Sequence, residues 1–70
     1  MSYEEREIGK GSIVRTTLEG ETAKFWKVSP EARFVVVGGS FFNGEGYLHL
    51  REIGPETTRM LPDVFFVRTI

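Results

Sequence analysis

Short runs of apolar and alternating positions, broken by Gly and Pro, mark out strands along the chain, and the strongest of them lies between Arg33 and Glu52. Phe34, Val35, Val36 and Val37 are β-branched or aromatic residues suited to a pleated, largely buried surface, and Tyr47, Leu48 and Leu50 supply a returning strand. Between the two runs stands Asn43-Gly44. This pair readily takes the two positive φ angles of a type I′ turn, whose twist matches that of the flanking strands. A two-residue turn there sets Phe42 against Glu45, Phe41 against Gly46 and Ser40 against Tyr47. Gly38-Gly39 then falls inside the first strand, where paired glycines weaken the ladder and mark a bulge or bend. Phe34, Val36, Leu48 and Leu50 are the predicted core.

Before this hairpin, Gly11 to Leu18 reads as a first strand in which either Ile13 or Val14 faces inward. Thr17 to Thr22 reads as a hairpin turn with Gly20 at positive φ. Thr22 to Ser29 reads as the next strand, with Ala23, Phe25 and Lys27 on one face and Lys24, Trp26 and Val28 on the other. Ser29-Pro30-Glu31-Ala32 is a connection, because proline fixes φ and cannot donate to a ladder. After the hairpin, Ile53-Gly54-Pro55-Glu56 is a second break and Thr57 to Met60 a short strand. Pro62-Asp63 suits a 3₁₀ turn that drops Leu61 and Phe65 into the core and leads into a final strand ending at Ile70. No segment sustains a 3.6-residue period, so no helix longer than two turns is expected. The predicted class is all-β: a five- to six-stranded SH3-like small barrel or bent meander. Residues 1–10 are read as a flexible arm, although Ser2 and Glu5 have capping-box spacing, and residues 11–70 as a single domain.

Ile13-Val14-Arg15-Thr16 and Phe66-Val67-Arg68-Thr69 are alike, which suggests that the first and last strands share an environment; pairing them would close a barrel and remove two edges. The layout resembles SH3-like small barrels. The resemblance is carried by the strand opening Gly11-Ser12-Ile13-Val14-Arg15, by the meander, and by Leu61-Pro62-Asp63-Val64-Phe65-Phe66-Val67, which is similar to the 3₁₀ turn before the last strand of that fold. It covers most of the chain as topology. An ALYDY-type segment is absent and no tryptophan pair opens a middle strand, so the resemblance implies a fold and does not bring the proline-rich peptide groove with it. Superfolds of this kind host many functions.

Seventy residues amount to one small domain, which hides only about 60% of the surface its unfolded chain exposes. The sequence has no cysteine, so neither a disulfide framework nor a thiolate metal site supplements the core. No apolar run approaches the roughly 20 residues that span a bilayer, and the acidic N-terminus lacks a signal-like apolar region; a cytoplasmic protein is the default expectation. The formal charge of −1 supplies no overall attraction to nucleic acid or anionic lipid.

Enzyme chemistry has little material. His49 is the single imidazole, on the strand face of Tyr47 and Arg51, and reads as a half-exposed ladder residue before it reads as a general base. Ser2, Ser12, Ser29 and Ser40 lie in no nucleophile elbow, Glu45 and Glu52 read as solvated charge, and no glycine loop leads into a helix. No catalytic, metal-binding or cofactor site is expected. Aromatic doublets are the stronger signal. Neighbours on a strand point to opposite faces, so Phe25-Trp26, Phe41-Phe42 and Phe65-Phe66 supply more apolar surface than one small interior can hide. The leading expectation is a non-enzymatic module that binds a protein partner, or a second copy of itself, through Trp26, Phe41, Phe42, Tyr47 and Arg51. The alternative is a regulator that binds single-stranded nucleic acid with the same aromatics and Lys24, Lys27 and Arg33.

Overall fold

A computed structural model of the protein describes residues 8–69; the predicted capping box and most of the predicted arm lie outside them. Asn43 and Gly44 take φ of 52° and 80°, as the sequence requires, and join β2 (Phe34–Phe42) to β3 (Glu45–Glu52). The pairing is the predicted one, Phe42 with Glu45, Phe41 with Gly46 and Ser40 with Tyr47. Further along, Val36 faces Leu50 while Gly38 faces His49, so Val37 is the extra residue of a bulge, one position before the glycine pair. Gly44→Val should lower the melting temperature by the equivalent of about 1–3 kcal/mol, because a β-branched residue resists positive φ. An unchanged thermal melt would show that the turn does not depend on Gly44.

The remaining strands are β1 (Ile13–Thr16), β4 (Thr58–Pro62) and β5 (Phe66–Arg68), all antiparallel in one sheet of order β4-β3-β2-β1-β5. A 3₁₀ turn at Asp63–Phe65 precedes β5, as predicted from Pro62-Asp63. The first and last strands do pair, Val14 with Arg68 and Thr16 with Phe66. Their pairing does not close a barrel. β1 is held by β2 on its other side, so β5 extends the sheet and stands at its edge, with β4 at the other. The fold is an open, bent meander.

A second correction concerns the segment predicted as a hairpin turn and a strand over Thr22 to Ser29. It is a helix, α1 (Gly20–Trp26), and Gly20, at the positive φ expected of it, opens the helix. Ala23 is buried, with Glu21 in the first turn and Lys24 in the last, the charge order that complements a helix dipole. Lys27 ends it in a left-handed conformation, and the Val28 amide donates back to the Ala23 carbonyl at 3.0 Å. Val28 is then delivered into the core. Arg59 of β4 covers the last carbonyls, donating to Trp26 O at 2.6 Å and Lys27 O at 2.7 Å, and so ties α1 to the sheet.

The core lies between α1 and the inner face of the sheet. Val14, Phe34, Val36, Leu48, Leu50, Leu61 and Phe66 meet Leu18, Ala23 and Val28 there, and Phe34 and Phe66 pack edge to face at 5.6 Å. All four predicted core residues are among them. Ile8, Trp26, Ala32 and Phe65 pack against this cluster from its margin. No helix among the described residues is long and apolar enough to cross a membrane.

Candidate functional site

Three segments meet at one end of the molecule and leave a groove of about 520 Å³ between them. The hairpin contributes Gly44 to Tyr47, the 3₁₀ turn contributes Pro62 to Phe65, and the end of α1 contributes Trp26. Trp26 and Phe65 lie against each other with ring centroids 5.0 Å apart, tilted by 59°. Phe25 continues the row, meeting Trp26 edge on at 5.7 Å. The charged groups of the lining are carboxylates, Glu45 and Asp63.

Each wall has a local cause. The 3₁₀ turn is pinned from below by Thr16, whose buried hydroxyl donates to the Phe65 carbonyl at 2.8 Å and accepts from the Leu18 amide at 3.0 Å. The Thr17 amide donates to the same Phe65 carbonyl. Gly46 stands where the hairpin meets the 3₁₀ turn. A Cβ at that position would stand 2.5 Å from Asp63 Oδ2 and 3.6 Å from the Phe41 ring, so a larger residue there would displace the Asp63 carboxylate.

The aromatic patch expected from the sequence is divided between two faces. Residues directly opposite each other in a ladder share a face. Phe41, paired with Gly46, is on the core side and borders the groove. Phe42, paired with Glu45, is on the outer side, together with Ser40, Tyr47 and His49. The two phenylalanines are 83% and 67% exposed, so neither enters the core. Of the predicted partner-binding residues, Trp26 and Tyr47 line the groove, Phe41 borders it, and Phe42 lies behind the hairpin. Arg51 stands towards the far end of β3, paired with Glu56 at 3.3 Å. Lys24 is on α1 and Lys27 caps its end, and the Arg33 guanidinium folds onto the Glu31 and Ala32 carbonyls at 3.1 and 3.5 Å. None of these three lines the groove.

Sequence reasoning did not single out Asp63, Val64, Phe65 or Arg59 as site residues, and it set Glu45 aside as solvated charge. The signal for α1 was present in the order Glu21, Lys24, Lys27 around Ala23 and Trp26. On the outer face Ser40 Oγ lies 3.2 Å from His49 Nε2 and 3.8 Å from Met60 Sδ. Among the described residues no carboxylate is hydrogen-bonded to this imidazole, and no group of three or more acidic or imidazole side chains could hold a metal ion. A scan of the chain against family models finds no match, and searches of curated proteins and of solved structures find none either.

Proposed function

We propose that this protein is a non-enzymatic interaction module that docks a protein partner in the groove between the hairpin tip, the 3₁₀ turn and the end of α1. The reading is carried by the aromatic floor of Trp26 and Phe65, which packs on the core from one side and stays open on the other. Trp, Tyr and Phe are favoured at interface centres because a large rigid ring offers contact area at small entropic cost. Phe41 and Val64, 61% exposed, extend the apolar rim. The small SH3-like layout and a cytoplasmic setting belong to the same reading, supported by the strand order and by a core that uses no disulfide.

Charge favours a protein over nucleic acid at this groove. Phosphates brought to the aromatic floor would meet Glu45 and Asp63, while Lys24, Lys27 and Arg33 stand elsewhere. Capture on the immobilised chain tests the reading. Val64→Lys places a charge in the rim and should weaken retention of a bound protein by about tenfold or more. Ile53→Lys, in the turn at the far end of β3, should leave retention unchanged. Equal retention by both variants would remove the groove as the docking site. Tight, salt-sensitive binding of mixed single-stranded oligonucleotides would replace this reading with the nucleic-acid one.

A further inference from the structure

Among the described residues the sheet has unpaired edges in three places, and two of them are blunted. β4 ends in Pro62, which has no N–H to offer, and β5 is short, with its Phe66 amide already donated to the Asp63 carbonyl. The third is the outer arm of β2. β1 accompanies β2 only as far as Val36, whose carbonyl accepts from the Gly11 amide at 2.7 Å, so Gly38 to Phe42 are paired with β3 alone. Bonds in an antiparallel ladder are exchanged at alternate pairs, and a two-residue turn starts the count at Phe42-Glu45, which makes Ser40-Tyr47 and Gly38-His49 the bonded pairs. Gly39 and Phe41 therefore turn their N–H and C=O groups the other way, where no described backbone group meets them. The arm, Gly-Gly-Ser-Phe-Phe, carries neither charge nor proline.

This arm is complementary to itself. Laid antiparallel on a second copy with Ser40 opposite Ser40, it sets Gly39 against Phe41 and Gly38 against Phe42 in both halves. Gly39 and Phe41 are the residues whose backbone groups point outward, so each exchanges both of its bonds with its opposite, and Ser40 meets its counterpart at the two-fold axis as a pair without hydrogen bonds. Every ring then lies over a glycine. Phe41 and Phe42, 83% and 67% exposed, stand on opposite faces and cover the bare glycine backbone on both sides of the junction. We infer that a second copy of this chain pairs along the outer arm of β2 and joins two five-stranded sheets edge to edge. An unrelated extended segment would have to bring small residues opposite both rings; this arm already holds them. The two rings of each protomer offer about 300 Å², well under the roughly 800 Å² per partner of a standard interface, so the dimer is weak, with a Kd of roughly 0.1–1 mM. None of these residues lines the groove.

The chain has no cysteine, so Ser40→Cys places a single thiol at the axis. Cα atoms of a pair without hydrogen bonds are about 4.5 Å apart, within disulfide reach, whereas a register displaced by two residues puts them beyond about 7 Å. In oxidised glutathione at about 1 mM protein, Ser40→Cys should form the disulfide dimer about tenfold faster or more than Ile53→Cys, an exposed site at the far end of β3. Sedimentation equilibrium at the same concentration should give the wild type an average mass above 8.0 kDa. Ser40→Glu and Ser40→Lys, at an exposed position, should each be monomeric with an unchanged circular dichroism spectrum, because like charges then meet at the axis, and their equal mixture should associate again. Crosslinking of Ser40→Cys no faster than that of Ile53→Cys overturns the proposal, as does a wild type that stays monomeric or an association indifferent to both charges. Ser40→Glu should leave retention of another protein at the groove unchanged, so this proposal and the docking reading fail independently.

Discussion

Replacing Phe34 with Ala is expected to remove about 3–5 kcal/mol of stability and leave much of the chain unfolded without denaturant. The ring is 1% exposed, packs edge to face on Phe66, and sits where β2 passes under the other inward residues of the sheet. The lost transfer energy is compounded by a cavity that β1 and β3 cannot close, because both are hydrogen-bonded to β2 on either side of it. A domain of 70 residues has only about 4–10 kcal/mol in total, so the single change takes a large share of it. Urea titration followed by far-UV circular dichroism measures the loss. A decrease below about 1 kcal/mol would mean that the core is not built around this ring.

Thr16→Val is the second large effect, and its cost arises in a different way. Valine has nearly the same shape, so packing is retained while the hydroxyl is lost. The Phe65 carbonyl keeps the Thr17 amide, but the Leu18 amide loses its acceptor in a buried position. An unsatisfied buried donor costs about 1–3 kcal/mol. The loss should be visible at the groove as well, since the hydroxyl ties β1 to the 3₁₀ turn that carries Phe65. Trp26, the single tryptophan, reports there directly. Its emission should shift in Thr16→Val and recover in Thr16→Ser, which keeps the hydroxyl. An unchanged denaturation midpoint in Thr16→Val would show that the two hydrogen bonds contribute nothing net.

Much of this fold is legible in the sequence because it is local. Asn43-Gly44 sets the hairpin, its register and therefore the inward positions of Leu48 and Leu50; Pro62-Asp63 sets the 3₁₀ turn. The helix escaped because seven residues are too few to develop a period, and because Phe25-Trp26 reads equally well as strand. Its stability comes from elsewhere: Arg59 covers its last carbonyls from β4, a contact between residues more than thirty positions apart. The groove was hidden for the same reason. Its floor joins Trp26 to Phe65 and its wall sets Gly46 against the Asp63 carboxylate, relations that exist only once three distant segments have met. The aromatic doublets did forecast a surplus of exposed rings, and the strand-parity rule did separate Phe41 from Phe42. What parity left open was which of the two would look towards the groove.

The extra residue at Val37 decides that question by counting. Every position of β2 beyond it is out of phase by one with the positions before it, so Phe34 and Val36 share an orientation with Gly39 and Phe41 rather than with Gly38, Ser40 and Phe42. Without that offset an unbroken alternation counted from Phe34 would put Phe42 in phase with it, whereas removing Val37 itself would keep Gly39 and Phe41 in phase with Phe34 and Val36, with the turn sequence untouched. Lengthening both arms of the hairpin by two residues would change nothing about which ring looks where. The phase of the outer arm is therefore counted back from the turn and reconciled with Phe34 and Val36 by one extra residue, so the identity of the ring presented at the groove is held as an integer rather than as a contact energy.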